Sequence, residues 1–109
     1  MQSIQESLTQ LLDRIPRRHS TDNVKEIYSL ADEYEQHLLT IEAENKFYET
    51  QVPTFFDDLD NLRAAIKKST DGKASKKNKD SAFDEAAGIF KDSLQALITL
   101  YAKGDAKSN

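Results

Sequence analysis

The sequence predicts an all-α protein, an elongated antiparallel bundle of four helices with coiled-coil-like packing. Three observations carry this. Apolar residues recur in steps of three and four along most of the chain, which gathers them on one face of a helix. Three glycines and two prolines in 109 residues leave little of the turn chemistry an all-β fold requires. Hydrophobic residues make up 38% and charged residues 31%, a lean apolar fraction that suits thin bundles in which each helix buries only a stripe.

The first helix is expected at 3–15. Ser3 and Glu6 form a capping box, and Ile4, Leu8, Leu11, Leu12 and Ile15 share one face. Pro16 ends it, because proline disfavours a helical residue before it and has no amide to donate. A polar connector with Arg17, Arg18 and His19 follows, then several N-cap residues, Ser20 to Asn23. Asn23 with Glu26 reads as a second capping box, and helix two is expected at 22–51. From Val24 the pattern is a heptad: Val24, Ala31, Leu38, Asn45 and Val52 hold one set of seam positions, and Ile27, Tyr34, Ile41 and Tyr48 the other. Such a helix is about 45 Å long, so the molecule should be elongated.

Pro53 permits two readings. A tight break starts a third helix at 54–69, capped by Thr54. Otherwise one long helix kinks there, since the heptad phase continues from Val52 through Phe55, Leu59, Leu62 and Ile66. The break is favoured because an interior proline costs about 3 kcal/mol. Residues 70–79 read as a loop with an Asp71-Gly72 turn. Asp80 or Ser81 caps a last helix at 80–103, with Ser81 and Asp84 resembling a capping box, and its seam is Phe83, Ala87, Phe90, Leu94, Leu97 and Tyr101. Gly104 is a helix stop. Residues 1–104 form one domain, and 105–109 a disordered tail.

A net charge of −4 and a pI near 5.1 argue against a general nucleic-acid binder, which usually shows a basic excess. No run of about 20 apolar residues suggests a membrane span, and the start lacks the pattern of a secretory signal. The expected address is the cytoplasm, with the nucleus compatible. Cysteine is absent, so there is neither disulfide nor thiolate chemistry.

Several groups invite a functional reading. Asn45 interrupts the seam, where a buried asparagine fixes register and partner number. Tyr28, Leu30, Leu39 and Phe47 lie off the main seam, which requires more than one neighbouring helix. Phe47, Tyr48, Phe55 and Phe56 form the densest aromatic patch, either core packing around the bend or an anchor for a partner. Glu33 and His37 share a helix face, but two ligands without a matching pair do not make a metal site. Asp57, Asp58 and Asp60 read as first-turn acids that complement a helix dipole. Lys73, Lys76, Lys77 and Lys79 form a basic loop, within which Lys76-Lys77-Asn78-Lys79 fits a minimal nuclear-import pattern. Ser20, behind Arg17-Arg18-His19, fits a basic-directed phosphorylation site at a helix N-terminus.

No phosphate loop, nucleophile elbow or general-base pair is present, and no catalytic, cofactor, small-molecule or metal role is assigned. The expected function is a non-enzymatic interaction module, an adaptor or assembly subunit that meets a protein partner or a second copy through its heptad seams. A second reading is a small protective or chaperone-like protein that masks a toxin, secretion substrate or other target. Bacteriocin-immunity proteins match it in size and class only. A third is a nucleic-acid-associated factor using the lysine loop, disfavoured by the acidic balance.

Overall fold

The computed structural model describes residues 3–44 and 50–107. It contains α1 (Ile4–Arg14), α2 (Thr21–Glu44), α3 (Val52–Ser69) and α4 (Lys76–Lys107), and no strand among the described residues. Ser3 caps α1 as its sequence implies, its Oγ accepting the Glu6 N–H at 3.1 Å. Ile15 is extended (φ −61°, ψ 120°), the conformation Pro16 imposes on the residue before it.

The starts of α2 and α4 differ from expectation in the same way: a serine upstream of the expected cap is used. Ser20, not Asn23, caps α2; its Oγ accepts the Asn23 N–H at 3.0 Å and its carbonyl the Val24 N–H at 2.9 Å. Asn23 is instead turned back, donating from Nδ2 to the Arg18 carbonyl at 2.7 Å and closing the connector. Likewise Ser75, not Asp80 or Ser81, caps α4, taking the Asn78 N–H on Oγ at 3.1 Å and the Lys79 N–H on its carbonyl at 3.0 Å. The loop is therefore 70–75, and Lys76, Lys77 and Lys79 are helical. Lysine's long unbranched stem is a good helix former, so nothing local delays the start. At its other end α4 runs through Gly104 to Lys107, since one interior glycine costs only about 1 kcal/mol.

The chain breaks at Pro53 and reverses. Thr50 and Gln51 form a turn, and Pro53 sits in the first turn of α3, where its missing amide has no partner to lose. Arg63 of α3 reaches Asp32 and Glu35 of α2. In one continuous helix those residues would stand about 45 Å apart, so a shallow kink is excluded. Val52 thus opens α3 rather than closing α2, and Thr54 lies inside the helix rather than capping it. The first turn of α3 has no acid. The dipole explanation for Asp57, Asp58 and Asp60 therefore fails.

Sequential helices are neighbours, α1 closes the ring against α4, and α2 and α4 face each other across the diagonal. The bundle measures 52 × 24 × 18 Å, with a radius of gyration of 14.8 Å, longer than a compact ball of this length. Its core is built from the heptad seams. Val24, Ile27, Ala31, Tyr34, Leu38 and Ile41 of α2 are buried, as are Val52, Phe55, Leu59, Leu62 and Ile66 of α3 and Phe83, Phe90, Leu94 and Leu97 of α4. Ala87 and Tyr101 pack at its margin. Leu30 is fully buried as well, because α2 has α1 on one side and α3 on the other. Each such burial contributes about 1.5–3 kcal/mol. The ridges cover one another within a single chain.

Candidate interaction surfaces

The middle of the bundle is pinned across its diagonal. The Tyr34 hydroxyl lies 2.6 Å from Ser93 Oγ, and the Tyr34 ring stacks on Phe90 at 5.4 Å. Burial pushes the phenol pKa above its ordinary value. No buried side-chain polar atom among the described residues is left unpaired. This cross-bundle pair has no sequence signature, since Ser93 looks like any helical serine until the fold sets it opposite a tyrosine.

The aromatic candidates divide. Phe55 is a core residue at 6% exposure, and Tyr28 and Phe56 are half-buried against the core. Asn45, Phe47 and Tyr48 lie outside the described residues. The large hydrophobic side chain left open to solvent among the described residues is Leu39, at 44% exposure.

Glu33 is engaged by Arg14, whose Nη1 donates to it at 3.2 Å while Nη2 reaches Glu26 at 3.3 Å. His37 is half-buried, and burial lowers its pKa against the pull of Glu33. No three His, Cys, Asp or Glu side chains converge among the described residues. Two of the open grooves among the described residues flank α4 from Ala87 onward. One, of about 550 Å³, lies beside the end of α1 between Leu12, Ile15, Pro16, Ala87 and Lys91. The other, of about 360 Å³, lies between the start of α3 and Ala96, Thr99 and Leu100.

The two basic segments prove to be neighbours. His19 Nδ1–H donates to Asp80 Oδ1 at 2.8 Å, and its ring rests against Phe83 with centroids 5.6 Å apart. This clasp ties the α1–α2 connector, with Arg17 and Arg18, to the start of α4, with Lys76, Lys77 and Lys79. Lys73 is in the adjoining loop, and Lys67 and Lys68 end α3. Ser20 stands at the same end, exposed, with its hydroxyl engaged as the α2 cap.

No helix among the described residues is long and apolar enough to cross a membrane. Comparison with protein-family models, curated proteins and solved structures finds no match to this chain.

Proposed function

We propose that this chain is a non-enzymatic protein-interaction module, an adaptor or assembly subunit, that meets its partner with the outer surface of an already closed bundle. One observation supports this mode. The seams that a partner helix would need are spent inside the chain, from Val24–Ile41 against Val52–Ile66 and Phe83–Leu97. A partner therefore docks on a finished rod about 52 Å long, and association does not complete the core.

The same closed core favours a second reading, a protective or chaperone-like protein that works as a stable monomer and masks one target. Light scattering across a dilution series, followed by affinity capture from the source cell, tests both. The expected outcome is a monomer at every concentration that retains one protein in fixed stoichiometry through high-salt washes. Neutralisation of that protein's activity on co-expression selects the protective reading. Helicity that rises with concentration would return the seams to intermolecular use and contradict the proposal.

A further inference from the structure

A whole-chain charge of −4 conceals a strongly polar molecule. Residues 16–25 and 67–80 hold nine cations (Arg17, Arg18, Lys25, Lys67, Lys68, Lys73, Lys76, Lys77, Lys79) and three carboxylates (Asp22, Asp71, Asp80). That is a surplus of six positive charges, and the remainder of the chain then carries −10. The segments are distant in sequence, yet the His19–Asp80 clasp places both at one end of the rod. Among the described residues none of these nine cations is in an ion pair. Arg17, Arg18, Lys25, Lys67, Lys68, Lys73, Lys76 and Lys77 are exposed.

Folding does not explain the arrangement. Lys76 and Lys77 occupy the first turn of α4, which has no acid, and cations there oppose the helix dipole. Asp84 lies about 12 Å further along α4 from Lys76, while Glu85 shares a groove with Lys68, Asp71 and Asn78. Glu42, towards the far end of α2, lies about 33 Å along the helix from Ser20, several times the ~8 Å Debye length of physiological salt.

We propose that this connector end binds the phosphate backbone of double-stranded nucleic acid, end-on and without sequence preference. Hydroxyl and amide groups of the kind that contact phosphate oxygens stand among the cations, at Ser75 and Asn78. Approach by the end keeps the acidic body pointing away from the polyanion. No large apolar or aromatic side chain is exposed at this end. That omits the second anchor by which basic patches hold lipid surfaces and the platforms on which single-stranded bases stack.

The test is fluorescence anisotropy of the full chain with a labelled duplex of arbitrary sequence, repeated with phosphatidylserine vesicles. About four neutralised phosphates predict binding at about 50 mM salt that weakens roughly a hundredfold by about 200 mM. Replacing Lys73, Lys76, Lys77 and Lys79 by Gln abolishes it. Replacing Arg17 and Arg18 by Gln, on the other connector, weakens it about tenfold. Removing the same charge away from this end, by Arg63→Gln with Lys103→Gln, leaves it within about twofold. Helicity measured by circular dichroism confirms that each variant is folded. The proposal is overturned if no duplex binds at low salt, if vesicles bind and duplex does not, if the Arg17/Arg18 variant binds as the parent does, or if the Arg63/Lys103 variant loses as much.

Discussion

Arg63, on the wall of the bundle, and Arg14, at the end of α1, each stand between two carboxylates. Arg63 reaches Asp32 at 2.7 Å and Glu35 at 3.3 Å, and Arg14 reaches Glu33 and Glu26 at 3.2 and 3.3 Å. At the connector end nine cations share three carboxylates, and Asp80 is already held by His19. The arginine pairs bridge helices, α1 to α2 and α2 to α3, so they reinforce the antiparallel register set by the seams. The end cations bridge nothing. The same chemistry is thus used to close the structure in one region and left open to solvent in the other.

Substitutions can break or sharpen this contrast, and the core sets the scale. Phe90→Ala removes a fully buried ring stacked on Tyr34 and should cost about 3–5 kcal/mol in chemical denaturation. A loss below about 1 kcal/mol would mean that the diagonal is not packed as described.

Tyr34→Phe leaves the Ser93 hydroxyl buried without its partner and should cost about 1–3 kcal/mol. It also has a pH signature. Burial raises the folded-state pKa of the phenol, so the unfolded chain loses this proton first, near pH ~10. Tyr34 therefore contributes no pH dependence at neutrality, and stability falls as pH rises above about 10. The denaturation midpoint of the Phe variant should fall less over that range. An identical alkaline decline in both would contradict the buried placement.

Arg63→Gln should cost about 0.2–1 kcal/mol for each half-exposed pair it removes. Lys76→Gln with Lys77→Gln should do the reverse, leaving stability unchanged or raising it by about 0.3–1 kcal/mol per residue at low salt, because each charge opposes the α4 dipole. Thermal melting distinguishes the signs. If the lysine variant melts as low as Arg63→Gln, the end cations are structural and the contrast disappears.

The buried half of the molecule was legible because it is periodic. Each heptad position assigned from Val24 to Ile41 and from Phe55 to Ile66 is in the core, since a helix translates a 3.5-residue repeat directly into one face. Caps were less legible. Ser20 and Ser75 compete with residues of equal intrinsic quality, and local cap preference does not rank them. The proline was ambiguous for a different reason. Two separate helices that each face the same core can preserve a heptad phase by coincidence, and only Arg63 meeting Asp32 and Glu35 resolves it. Least legible was the connector end. Arg17 and Lys73 are separated by 56 positions of sequence numbering, and no local pattern announces that His19 will join their segments.

The antiparallel closure that brings those segments together is directly measurable, because the chain has no cysteine to interfere with labelling. Spin labels at Arg18→Cys and Lys73→Cys, read by double electron–electron resonance, should report a separation within the 24 Å width of the bundle. A separation of roughly 70 Å or more, the length of a helix running unbroken from the start of α2 through Pro53 to the end of α3, would contradict both the fold and the shared basic end.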